Sequence, residues 1–531
     1  MNQDNNFMDS KTLWAILLVG VVWFGWQQYI NKKYGEQKQT IESINQVQVQ
    51  NQIKVSPSSG NIKQLETSNP DKKGSDSLEQ KINYSNSSLK LEISSKGMSL
   101  KNIELTKFVG RDDKPVQFLG GENGLFSTII GGELVDFNLK KDSENSYIGE
   151  ADLNGIKVVK MMTFSDNYNV KIETKIDSSQ NAIPSVSMTF EEVVKKVETG
   201  SIFSPPTETQ EIIVLNQEGE KDFNLAKEKD GINTTVNQTF LASINGHYFS
   251  SAFVDKSEII PSFSIDHKTN SPFIKGSLNY NLINNDHKNL VLSGIGYFGP
   301  KDTSILDSVD PMLSKIVRFG FFSAIAKPLL TTMKWLNSIV GNWGWSIILL
   351  TLLVRMIVMP LHIMSFKSMK AMQKVQPLIQ NIKEKYKDDP MSLNRETMAL
   401  MKKHKVNPMG GCLPMLLQIP VFFALYRVFS ESLDLYKSPF IFWIHDLSLK
   451  DPFYVLPVLM AAVMYLQQKM TPSTMDPTQA KIMQFMPLIF SLMMVSLPSA
   501  LTLYMFVSTF FGILQQYMFL KDKKNSVELA K

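Results

Sequence analysis

The chain has 531 residues, with 55 Lys and Arg against 50 Asp and Glu and a net charge of +5. Its single cysteine, Cys412, excludes an intrachain disulfide framework and a Cys-rich zinc or iron–sulfur site. The 43% share of hydrophobic residues excludes a disordered chain, and the charge excess is too mild to argue for nucleic acid. The apolar residues are unevenly spread. The first 300 residues are polar and the last 190 hold long apolar runs, which points to a multi-domain membrane protein.

In chain order, a short N-terminus (1–11) leads into residues 12–30, 19 positions without a charge and long enough to cross about 30 Å of hydrocarbon. Trp23, Trp26 and Tyr29 crowd the far end as interfacial aromatics do. No small-residue cleavage site follows, so an uncleaved anchor is expected rather than a signal peptide. Residues 31–80, rich in Gln, Asn, Ser and Lys, read as a flexible tether.

From residue 81 to 316 the hydrophobic period is two. Leu89, Leu91 and Ile93 alternate with polar residues, as do Val170, Ile172, Thr174 and Ile176. Asn, Asp, Gly and Ser clusters punctuate the runs, so an antiparallel all-β domain is expected, a large sandwich. Residues 294–299 match G-x-G-x-x-G, but Pro300 follows where a dinucleotide site needs a helix-opening turn. His247, His267 and His287 are not grouped with carboxylates at ligand spacing. No P-loop and no H-E-x-x-H occurs, and no cofactor or metal is expected.

Residues 317–342 read as an amphipathic helix lying on the membrane surface. Five apolar segments follow, at 343–364, 413–435, 453–468, 482–497 and 499–520. The third and fourth of these, at 16 residues each, are short for an average bilayer. Between residues 365 and 405 lie ten Lys and Arg against four Asp and Glu, which assigns this segment to the cytoplasm. Parity then places both termini inside and the β domain outside. Lys521, Lys523 and Lys524 in the tail 521–531 agree, and Lys32 and Lys33 do not. Within 365–405, Phe366, Met369, Met372, Val375, Ile379, Ile382 and Tyr386 recur at helical spacing, and Asp388–Pro390 form a turn. A helical hairpin is expected, with Ser392 as cap of its second helix and Lys367, Lys370 and Lys374 on a polar face suited to anionic lipid.

The last third closely resembles the YidC family of membrane protein insertases. The matching stretches run in order: YFGPK (297–301), VGNWGWSIILLTLLVRMIVMPL (340–361), VNPMGGCLPMLLQIPVFFALY (406–426), SPFIFWIHDLSLKDPFYVLPVLM (438–460), QQKMTP (467–472), FMPLIF (485–490) and LPSALTLYMFVSTFFGILQQ (497–516). HYFSSAFV (247–254) ties the β domain to the Gram-negative form of the family. The resemblance implies an inner-membrane protein with a five-helix core, an N-terminal anchor and a periplasmic β-super-sandwich. It also implies a non-enzyme that inserts and helps fold nascent membrane proteins, with the Sec translocon and the ribosome as partners, and a hairpin needed for insertion.

Arg355 sits in the middle of its apolar segment, where a lone Arg costs about 2.5–3.5 kcal/mol on insertion scales. Thr351 and His362 fall within about 40° of it around the helix, so one polar stripe crosses the segment. Two readings are open. Backbone carbonyls satisfy the Arg as packing glue, or it is an unpaired charge lining a wet groove; by resemblance Arg355 matches the groove arginine of the family. Gln418, the pair Gln484 and Ser491, and the stripe Thr502, Thr509 and Gln516 with Met505 beside it serve either such a groove or interhelical bonding. Met505 stands where relatives carry an aromatic. Twenty of the 28 Met residues lie between 356 and 518, suited equally to varied apolar substrates and to ordinary packing. Two other functions compete: a secondary transporter, which would need internal repeats or an intramembrane carboxylate that the sequence lacks, and a membrane-anchored binding protein working through its β domain.

Overall fold

The computed structural model describes residues 79–528 apart from 180–182, 196–207, 229–230, 269–270, 282–287, 388, 405, 407–412 and 471–476. The anchor expected at 12–30, most of the tether at 31–80 and the last residues of the tail lie outside the described residues.

The period-two segments form strands from Lys81–Ser85 to Asn289–Pro300, arranged as two antiparallel sheets of ten and nine strands. Their inner faces close on an aromatic cluster. The Phe126 ring centroid lies 5.5 Å from that of Phe190 on its own sheet and 5.3 Å from those of Phe253 and Phe298 on the other. All four side chains are buried. The G-x-G-x-x-G stretch belongs to the strand Asn289–Pro300, and it explains itself here. The Phe253 ring lies over Gly294 and the Phe126 ring over Gly296, where any Cβ would overlap ring carbons. These glycines make room for the core aromatics.

Lys160 is fully buried in the strand Ile156–Ser165 and donates to the carbonyls of Gly97, at 3.0 Å, and Phe126. Burial holds its ammonium well below the ordinary value of 10.5. The unfolded chain therefore binds one more proton than the folded one over that window, and stability is lost as pH falls from about 10.4 toward neutrality. Replacing Lys160 with Met is expected to flatten this dependence. The measurement is the thermal midpoint of the β domain between pH 7 and 10, and equal slopes in both proteins would refute the assignment.

Eight α-helices are described after the sandwich: α1 (Thr303–Val309), α2 (Ser323–Val340), α3 (Trp343–Lys385), α4 (Pro390–Lys403), α5 (Leu413–Glu431), α6 (Val455–Met470), α7 (Pro477–Met494) and α8 (Ser499–Glu528). The Asp302 carboxylate caps α1, accepting from Ser304 N at 2.8 Å. Asn342 caps α3 in the same way, accepting from Gly344 N at 3.0 Å. Among the described residues α3 is the one helix long and apolar enough to cross a membrane. α8 packs against α3 and α6, α2 against α3 and α5, and α6 against α7.

Several expected boundaries move. The segments 343–364 and 365–385 are one continuous helix, which runs through Pro360 and Pro377 while the charge pattern changes. The segment 413–435 ends as an α-helix at Glu431 and closes with a 3-10 turn, Leu433–Leu435. The surface helix expected over 317–342 begins at Ser323, after the 3-10 turn Leu313–Ile316. The second helix of the hairpin is capped by Asp389 rather than Ser392: Oδ1 of Asp389 accepts from the backbone N–H of Met391 and of Ser392, each at 3.1 Å. Met372 is buried with Val375 and Val406 in a small core of the hairpin itself, joined by Ile379 and Leu400.

The loop between α5 and α6 ties the helices to the β domain. Its Leu447 carbonyl accepts from Ala500 N at 3.0 Å and its Leu449 carbonyl from Ser499 N at 2.6 Å, which caps α8. Asp451 caps α6 through Leu456 N at 2.7 Å. From the sandwich, Asp113 pairs with Lys437 at 2.6 Å, and the Arg111 guanidinium lies 5.7 Å from the Tyr436 ring and 5.8 Å from that of Tyr248. His247, whose ring burial keeps neutral, donates from Nε2 to the Ser430 carbonyl at 2.7 Å.

Candidate functional site: a half-buried arginine between three helices

Arg355 lies twelve residues into α3, about 18 Å along the helix at 1.5 Å per residue. Its side chain is half-buried and turns toward α8. Nε donates to Ser508 Oγ at 2.9 Å, and Nη1 donates to His362 Nε2 at 3.4 Å. A guanidinium only donates, so Nε2 of His362 accepts and the ring proton sits on Nδ1. Pro360 lies between the two. It lacks an N–H, so the Met356 carbonyl one turn earlier loses its helical donor and adds polarity at the same level.

One turn beyond Ser508, Gly512 of α8 lies beside the guanidinium. A Cβ there would stand 3.4 Å from Nη1, Nη2 and the Gln467 Nε2 of α6. On the other side, Gln418 of α5 donates to the Tyr504 hydroxyl at 2.6 Å, one turn before Ser508. Among the described residues no carboxylate lies within 4 Å of Arg355. A cation is thus seated among neutral groups from α3, α8 and α6, with a Gln–Tyr pair from α5 and α8 beside it.

The structure brings Arg355 and His362 together as their helical spacing requires. Thr351, on the same stripe, is buried, and its hydroxyl donates to the Ile347 carbonyl at 2.6 Å. Thr502 and Thr509 likewise donate within α8, to Pro498 at 3.3 Å and Met505 at 2.7 Å. Ser491 joins helices instead, donating to the Pro457 carbonyl at 2.6 Å, as does Gln516 to Met470 at 3.0 Å. Met505 packs half-buried against the helical core. The Gln484 side chain lies outside the described residues. Of the hairpin lysines, Lys367 and Lys374 are exposed and Lys370 is half-buried, beside a half-buried Met369. Ser508, Gly512 and Gln467 are the members of the site that sequence reasoning missed.

The family model of the 60Kd inner membrane protein matches residues 335–526, and that of the YidC periplasmic domain matches residues 81–332. A protein of Maridesulfovibrio salexigens named membrane protein insertase YidC is 34% identical over 462 residues, which are 82% of this chain and 84% of that one. Its Campylobacter jejuni namesake is 37% identical over 369 residues, 69% of this chain and 66% of the relative. A crystal structure described as an active YidC insertase with its first transmembrane domain resolved is 20% identical, with a TM-score of 0.38 over 83% of this chain and 92% of that one.

Proposed function

Since the chain belongs to the YidC family of membrane protein insertases, we propose that it inserts nascent membrane proteins through a polar groove open to the cytosol, with Arg355 as the working charge. One observation carries this reading: a guanidinium midway along the apolar segment 343–364 of α3, half-buried and bonded to neutral groups, with no carboxylate beside it among the described residues. Such a cation lowers the cost of bringing a polar, acidic stretch of substrate to half depth, a cost of about 2.5–3.5 kcal/mol for an Asp on insertion scales. The membrane potential then draws the negative charge outward, at about 2.3 kcal/mol per charge per 100 mV. The substrate's apolar helix leaves sideways into lipid, and burial of its own surface drives the step. No covalent bond changes.

In this reading α3, α5, α6, α7 and α8 span the inner membrane, residues 12–30 anchor the chain, both termini are cytoplasmic and the sandwich is periplasmic. The exposed lysines of the hairpin meet anionic headgroups and deliver substrates, with the Sec translocon and the ribosome as partners. The test is reconstitution. The purified chain in vesicles of mixed neutral and anionic lipid is expected to insert a small membrane protein with an acidic exported tail well above protein-free vesicles. Equal insertion with and without the chain would overturn the reading.

A further inference from the structure

A guanidinium offers a carboxylate two forks, Nε with Nη2 and Nη1 with Nη2, and a fork-to-fork pair is the strong form of the contact. In this chain Ser508 engages one arm of the side-on fork, because Nε has a single N–H, whereas His362 takes one of the two N–H groups on Nη1 and leaves the other. Ser508 takes Nε at 2.9 Å and His362 takes Nη1 at 3.4 Å, while Nη2 makes no hydrogen bond among the described residues. We infer that Ser508 is a positioning residue that closes the side-on fork of Arg355 to a passing carboxylate, with His362 steadying the guanidinium. The inference rests on the groove reading above and concerns how tightly the groove holds.

The physical argument is one of passage. A charge in transit must be bound well enough to enter and weakly enough to leave. A bidentate pair in a half-buried, low-dielectric seat would hold the acidic tail at half depth as a trap. Occupying Nε with a neutral acceptor removes the side-on form of that pair without removing the charge. The positions suit the task. Ser508 comes from α8 and His362 from α3 itself, two turns toward the cytoplasmic end, so the guanidinium is pinned at two corners. Gly512 flanks the seat: a Cβ there would reach Nη1 and Nη2 at 3.4 Å, van der Waals contact.

Ser508→Ala frees Nε and opens the side-on fork. The experiment compares two substrates in reconstituted vesicles that differ by one Asp or Asn in the exported tail. It reads how much tail is held in the groove, by photo-crosslinking to α8, and how fast insertion completes. The ratio of retained acidic to amide tail is expected to rise several-fold in Ser508→Ala, with slower completion for the acidic tail. Ser508→Thr, which keeps the acceptor, should return the ratio to that of the wild type. If Ser508→Ala does not accumulate, Ser508→Val also removes the acceptor at Nε and is read the same way. An unchanged or lower ratio overturns the inference. Arg355→Ala separates the two levels. If it and the wild type treat both tails alike, the groove reading falls and this one with it. If the wild type distinguishes the tails and Arg355→Ala does not, a flat Ser508→Ala result sinks the closed side-on fork alone.

Discussion

Replacing Arg355 with Ala is expected to slow insertion of a substrate with an acidic exported tail by at least about tenfold, since recovering even 1.4 kcal/mol of a carboxylate's cost at half depth is a tenfold effect. Arg355→Lys should retain part of the rate, because an ammonium supplies the charge but not the planar contact with Ser508 and His362. Arg355→Glu should be slowest, because it places like charge against the tail. The fold is expected to survive these changes. Ser508, once released, can donate to the carbonyl one turn back, as Thr502 and Thr509 already do in the same helix. The measurement is the insertion rate of acidic and amide tails in vesicles, with equal chain content checked by protease protection of α3. If all three variants match the wild type on the acidic tail, the charge is not the working element.

How much of this site was legible beforehand depends on the kind of signal each residue carries. Arg355 announced itself, because a charge in an apolar run of membrane length has few bland explanations. His362 followed from helical spacing alone. Ser508, Gly512 and Gln467 carry no such mark. A hydroxyl, a glycine and an amide in apolar helices are ordinary, and only the packing of α8 on α3 and α6 turns them toward the guanidinium. The polar stripe of Thr502 and Thr509 left both readings open for a physical reason. A threonine in a helix satisfies itself on the carbonyl four residues back, so a stripe of threonines need not face anything polar. In the β domain, alternation exposed the strands and their class. It did not disclose that Lys160, Glu191 and Glu192 are buried, because that follows from which sheet covers which face.

The replacement of Gly294 with Val should act at the other end of the molecule, and it separates the two domains' contributions. A Cβ at 294 falls within the Phe253 ring, which is itself wedged between Phe126 and the strands beneath it. The ring must shift, and it packs against Phe126 in the cluster that joins the two sheets. Overpacking of this kind costs about 1–3 kcal/mol. For a domain of this size each kcal/mol lowers the midpoint by about 2–4 °C, so a fall of up to about 12 °C is expected in the sandwich transition. The helical core should keep its own transition, since its packing of α8 on α3 and α6 involves no strand. If the groove does the work, the variant still inserts an acidic-tailed substrate at a temperature where its sandwich has lost protease protection. If insertion disappears together with the sandwich transition, while α3 stays protected, the contacts of Asp113 with Lys437 and of Arg111 with Tyr436 hold the outer loop in a form the groove requires, and the β domain is part of the machine rather than an attachment to it.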